Sequence, residues 1–172
     1  MITNSWLEYE KDWTDLIYSN LKLLKACNQK NPHYRNAKRA LNRLLRAWTD
    51  YPANYVSENC LKMFRKEKID VAAIDRRHTL IFGRNEEGKS KIVFEHSTPI
   101  NDLINTLMIN TSIEEVNTVL KNYSGVCWIT REEDDFLNDK GFKNTRNGNW
   151  AKQYENCNIK PLLISELTTS KP

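Results

Sequence analysis

The chain has 172 residues, 40% of them hydrophobic, with five Trp, seven Tyr and five Phe, which excludes a disordered chain and makes a stabilising metal or disulfide framework unnecessary. Only five glycines occur, and GxxxxGK[ST], GxGxxG and GxSxG are all missing, so kinase, simple dehydrogenase and serine-hydrolase chemistry are set aside. The net charge of +4 conceals segregation: residues 16–91 hold 17 Lys/Arg against 7 Asp/Glu, whereas residues 1–15 and 92–172 each come to −3. A basic stretch of this kind attracts polyanions.

The opening Met1-Ile-Thr-Asn-Ser-Trp6 has neither the basic end nor the apolar run of a signal peptide, so a cytoplasmic location is expected. Cys27, Cys60, Cys127 and Cys157 lie too far apart for a zinc knuckle or a compact disulfide framework, and buried free thiols are expected.

In chain order, Trp6, Tyr9, Trp13, Leu16, Ile17, Leu24 and Cys27 recur at helical spacing behind Ser5 as N-cap, with Glu8 three residues on. A second helix carries Tyr34, Ala37, Leu41, Leu44, Leu45 and Trp48 on one face and stops at Asp50-Tyr-Pro52. A third runs from about Asn54 to Glu67. Residues 69–74, 79–82 and 91–94 then read as three short strands of an antiparallel meander, with Gly88 in the last turn. Pro99 opens a further helix, and Thr111/Ser112 with Glu114/Glu115 another. Val126-Cys-Trp-Ile129 has the look of a buried strand. Thr130 caps a short helix with Glu133 in the capping box, and Gly141 fits its end. A turn-rich stretch and a short helical or extended piece complete the chain. The expectation is an α+β fold in one domain: a helical, basic part over 1–68, a mixed part over 69–167 and a frayed tail over 168–172.

The second helix holds the clearest functional signal. Arg35, Lys38, Arg39, Asn42, Arg43 and Arg46 fall at offsets 0, 3, 4, 7, 8 and 11, one stripe opposite the apolar face. No acid occurs from residue 16 through 49, so Arg35, Lys38, Arg39 and Arg43 have no i,i+4 partner to neutralise them. Arginine suits bidentate phosphate contacts, and nucleic acid, DNA or RNA, is the expected partner. The plain alternative is a solvated helix face.

A second signal is Glu95-His96-Ser97-Thr98-Pro99-Ile100 at the end of an expected strand. This segment resembles the opening motif of HNH nucleases of the ββα-metal (His-Me finger) class, Asp/Glu-His-x-x-Pro-Leu/Ile. The resemblance implies His96 as the general base that activates water and Glu95 as a ligand of Mg²⁺ or another divalent metal. It also implies a later strand and helix bearing the last ligand. Val126–Ile129 followed by Arg131–Leu137 has that layout, and since no histidine follows residue 96 the ligand would be Asp134 or Asp135. The gap between the two parts is longer than usual for the family. Without the resemblance, Glu95 is a solvent-facing acid, His96 a helix-capping residue, and the acids of 132–135 favourable company for a helix dipole.

Asp75 with Glu95 offers a second carboxylate pair for Mg²⁺, although Ser97 stands where a PD-(D/E)xK nuclease needs lysine. Arg146, Asn147, Asn149, Trp150 and Tyr154 mix a cation, amides and aromatics suited to bonding or stacking bases, or to packing a turn on the core. The expected function is therefore nucleic-acid processing, as a metal-dependent phosphodiesterase of restriction, mobile-element or phage type. The alternative is a non-enzymatic nucleic-acid- or partner-binding module, such as a phage or defence accessory or regulatory protein. A homodimer is left open.

Overall fold

Alternating strands and capped helices dominate the computed structural model of the chain, which describes residues 9–49, 53–123, 125–146 and 149–168. The expected cap at Ser5 and Glu8, the stop at 50–52, and Asn147 lie outside the described residues. The elements are α1 (Glu10–Ala26), α2 (Pro32–Trp48), β1 (Tyr55–Ser57), α3 (Glu58–Lys66), β2 (Ile92–His96), α4 (Ile100–Ile109), α5 (Ile113–Lys121), β3 (Val126–Thr130), α6 (Arg131–Asp139), α7 (Trp150–Asn156), β4 (Pro161–Leu163) and α8 (Ile164–Thr168). The fold is α+β. The chain divides into two compact units, residues 1–48 with 103–123, and 49–102 with 124–172, so α4 is shared between them.

The first unit is helical. On α1, Thr14, Ile17, Leu21 and Leu24 are buried, and on α2 Ala37, Leu41, Leu45 and Trp48. The two helices pack together, and α5 packs on α1. Tyr18 donates its hydroxyl hydrogen to Thr111 O at 3.0 Å, and Trp48 meets Tyr123 edge-on at 5.3 Å. Tyr9 and Leu16, expected in the core, are exposed; α1 carries more apolar residues than one buried face accommodates.

The second unit is built on a four-stranded mixed sheet in the order β2-β3-β1-β4. Strand β3, buried along its whole length, runs parallel to β1, with Tyr55 opposite Cys127, and antiparallel to β2, with Ile92 opposite Thr130 and His96 opposite Val126. Strand β4 is antiparallel to β1. Alternation along β3 sends Trp128 to one face, against Phe64, Phe94, Val56 and Ile164, and Cys127 and Ile129 to the other, against Leu137, Tyr154 and Ile159. Helices thus cover both faces, α3 one and α6 with α7 the other.

The expected meander is corrected. Only its third segment is a strand; residues 71–73 and 76–78 are 3-10 turns. Asp70 accepts from the Ala72 amide at 3.0 Å and Asp75 from the Arg77 amide at 2.9 Å, so side chains take the N–H groups a ladder would need. The sheet instead recruits β1, in place of the start of the expected third helix, and β4. Ser57 ends β1 and caps α3, accepting from the Cys60 amide at 3.1 Å. Cys60, Cys127 and Cys157 are buried free thiols, whereas Cys27 is half-buried.

Gly125, at φ 84°, leads into β3 against Asn54, whose amide nitrogen bonds Val126 O at 2.9 Å and whose side chain accepts from the Val126 amide at 3.2 Å. A Cβ on Gly125 would lie 1.9 Å from Asn54 Oδ1. Gly125→Ala is therefore expected to lower the unfolding free energy by about 2 kcal/mol or more, from positive φ and clash together, measured by denaturant titration.

Candidate functional site

The cationic stripe forms as the spacing requires. Arg35, Lys38, Arg39, Arg43 and Arg46 are exposed on α2, opposite its buried residues, and half-buried Asn42 accepts from Arg46 Nε at 2.9 Å. From Arg35 to Arg46 the stripe rises through 11 residue steps, about 16 Å, or about five base-pair steps along a duplex axis. Arg35, Lys38, Arg39 and Arg43 form no ion pair among the described residues.

The strand end at Glu95 and His96 is arranged differently from the motif's implication. Both residues lie within β2, and successive strand residues point to opposite faces, so the carboxylate and the imidazole diverge. The Glu95 carboxylate is engaged by Arg146, a guanidinium only 1% exposed. Arg146 also donates through Nη1 to His96 O at 2.5 Å and Ser97 O at 2.9 Å, and lies over the Tyr154 ring at 5.4 Å. Its backbone N–H reaches Asp102 Oδ2 at 2.6 Å.

The proposed last metal ligands are elsewhere. Glu95 faces Cys127, whereas α6 leaves the sheet at Thr130, three strand positions or about 10 Å away. Asp134 pairs with Arg131 Nη1 at 2.6 Å, and Arg131 Nε bonds Ser90 O at 3.1 Å, fixing Asp134 beside the beginning of β2 rather than its end. Burial raises the Asp134 carboxyl above its ordinary value. Asp135 is half-buried on the same helix. No three His, Cys, Asp or Glu side chains among the described residues group as metal ligands.

Glu133 has a structural task larger than the capping box expected of it. Its carboxylate accepts from the Thr130 amide at 2.8 Å, Ser57 Oγ at 2.6 Å and Asn59 Nδ2 at 3.1 Å, while its own amide bonds Thr130 Oγ1 at 3.2 Å. One carboxylate thereby ties together the starts of α3 and α6. Burial, and then the Glu133 charge, push the Cys60 thiol up; burial leads the same shift at Cys127, so neither is a nucleophile.

Asp75 does not face Glu95 as a carboxylate pair in any bond. Arg77 Nε grips both its oxygens at 3.1 and 3.0 Å, and His78 Nδ1 lies 3.1 Å away. Arg146, expected in a turn that either contacts bases or packs on the core, is buried as the partner of Glu95, a pairing the sequence pattern does not show: a single cation in a polar stretch carries no periodicity. Trp150 and Tyr154 meet edge-on at 5.4 Å, and Tyr154 is wholly buried, so this group packs the core. No protein-family model, curated protein or solved structure matches the chain.

Removing the guanidinium strands Glu95 and two backbone acceptors, His96 O and Ser97 O. Arg146→Met is expected to cost about 3–5 kcal/mol of stability, read from chemical denaturation. Asp75 is held at about 2 instead of 3.8, first by the side-chain hydrogen bond from Arg77. Since the folded carboxyl is the stronger acid, its stabilisation is complete above the ordinary carboxylate range and lost as pH falls toward about 2. Carbon-detected NMR titration is expected to find that midpoint in the wild type and an upward displacement in Arg77→Ala.

Proposed function

We propose that the chain is a nucleic-acid-binding module that grips the phosphate backbone along Arg35, Lys38, Arg39, Arg43 and Arg46 of α2. The observation that carries this reading is the uncompensated charge of Arg35, Lys38, Arg39 and Arg43: four exposed cations on one helix face without an ion pair among the described residues, in a stretch that has no acid from residue 16 through 49. A face evolved only for solvation gains from interspersed acids, which provide i,i+4 pairs and relieve repulsion. Arginine, four of the five, presents a planar fork that matches phosphate oxygens. Asn42, in the middle of the stripe, adds an amide suited to sugar or base-edge contact.

The reading assigns no reaction to Glu95 and His96. A metal-dependent phosphodiesterase needs the Glu95 carboxylate free for a cation, and here it neutralises Arg146; it needs the base and ligand on one side, and the two side chains leave opposite faces of β2.

Fluorescence anisotropy with labelled duplex DNA, single-stranded DNA and RNA tests the proposal. Five phosphate contacts predict a slope of about −4.5 for log affinity against log salt on B-DNA, and Arg39→Ala with Arg43→Ala is expected to reduce that magnitude by about 2. Salt-independent or undetectable binding to all three would overturn the reading. Cleavage in Mg²⁺ or Mn²⁺ that disappears in His96→Ala would restore the phosphodiesterase in its place.

A further inference from the structure

The cationic stripe is only part of the surface that α2 exposes. At about 100° per residue, the exposed positions from Lys38 round to Ala40 sweep about 200° of the helix, more than half its circumference. Lys38, Arg35, Arg46, Arg39 and Arg43 fill the first part of that arc in this order, and Asn36, Ala47 and Ala40 fill the remainder. Charged and uncharged side chains therefore occupy adjacent strips of one exposed face. Arg46 Nε donates to Asn42 Oδ1 at 2.9 Å, which holds it on the cationic strip, whereas no side-chain hydrogen bond engages Asn36 among the described residues.

This division decides which polyanion fits. Single strands are gripped by aromatic platforms set among cations, and the exposed arc of α2 has no Phe, Tyr or Trp: Tyr34 is half-buried and Trp48 buried on the opposite face. The major groove of A-form duplex RNA is too narrow for a helix, whereas that of B-form DNA, about 12 Å wide, admits one about 10–12 Å across. In that groove a helix meets phosphates at its flank and base edges at its centre, and α2 presents a surface for each side by side. The residue types on the uncharged strip are those that read A·T pairs: an asparagine amide matches adenine N6 and N7, and an alanine methyl packs on the thymine methyl. Alanine's short side chain also lets the helix backbone approach the groove floor.

We infer that the protein recognises B-form DNA by seating α2 in the major groove, with the cations on the phosphates along one wall and Asn36, Ala40 and Ala47 against the edges of A·T pairs. This assignment rests on phosphate binding by the stripe and adds to it a groove, a base preference and the three positions that set it. Asn36 pairs with an adenine. Ala40 and Ala47, about two and about five base-pair steps further along the duplex, take thymine methyls.

Duplexes enriched from a random-sequence DNA pool by repeated binding to the full chain serve as the probe, with affinity read by fluorescence anisotropy. They are expected to share a site of about six base pairs that contains A·T pairs. Within it, 7-deazaadenine, which lacks N7, should weaken binding about tenfold. Uracil in place of thymine should weaken it about fourfold for each methyl buried. Asn36→Ala, an exposed change that favours the helix, should erase the adenine preference and leave the salt slope unchanged. A pool that yields no shared sequence, or one without A·T pairs, overturns the inference. So does indifference to both base analogues, or duplex RNA or single strands binding as tightly as the enriched duplex at the same salt. In each of those outcomes salt-dependent binding persists and the phosphate-binding reading stands, whereas salt-independent or undetectable binding to every nucleic acid removes both.

Discussion

A guanidinium buried at 1% exposure dictates what surrounds it. Transferring such a charge out of water costs several kcal/mol, and the cost is offset only where a counter-charge and oxygen acceptors are already in place. Arg146 finds them at one locus: the Glu95 carboxylate, the His96 and Ser97 carbonyls, and the Tyr154 ring beneath. The end of β2, the segment before α7 and α7 itself are therefore mutually fixed, and Asp102 at the start of α4 joins them by accepting the Arg146 amide. The same arrangement commits Glu95 to structure, which is why the strand end that resembles a nuclease motif lacks a free ligand.

A second carboxylate organises the opposite end of the sheet. Parallel strands β1 and β3 each pass directly into a helix, and each helix start needs its amides satisfied. Glu133 answers for both: it completes the capping box of α6 and accepts from Ser57, the cap of α3. Two βα turns share one anion at their positive ends, where the helix dipoles favour it. The short β1 is held by this tie at its end as well as by its two ladders. An acid cluster that reads as a potential metal site is thereby accounted for by capping, by the Arg131–Asp134 pair and by burial.

The helical unit has a different economy. Both α1 and α2 spend one face on their common core and leave another face of uniform character, apolar on α1 and cationic on α2. Uniformity is the informative property, since a face selected for solubility alone intersperses both signs of charge.

Helix periodicity, the capping signals at Ser112, Thr130 and Glu133, the buried run of β3 and the α2 stripe were all legible in the chain, because each depends on residues within four positions of one another. The 69–82 segment misled because its apolar residues satisfy strand alternation while Asp70 and Asp75 cap turns locally, a competition that periodicity does not register. The pairing of Glu95 with Arg146, 51 residues apart, was invisible for a different reason: a lone arginine in a turn-rich stretch is distinguished only by where the fold buries it. So was the divergence of Glu95 and His96, whose adjacency in sequence suggests a joint site until strand geometry sends them to opposite faces. By itself the sequence determined the α+β class, the elements with strong local signals and the one-sided charge of α2. Tertiary structure alone decided which carboxylates are free, since that depends on long-range partners and on the cost of leaving a buried charge unpaired.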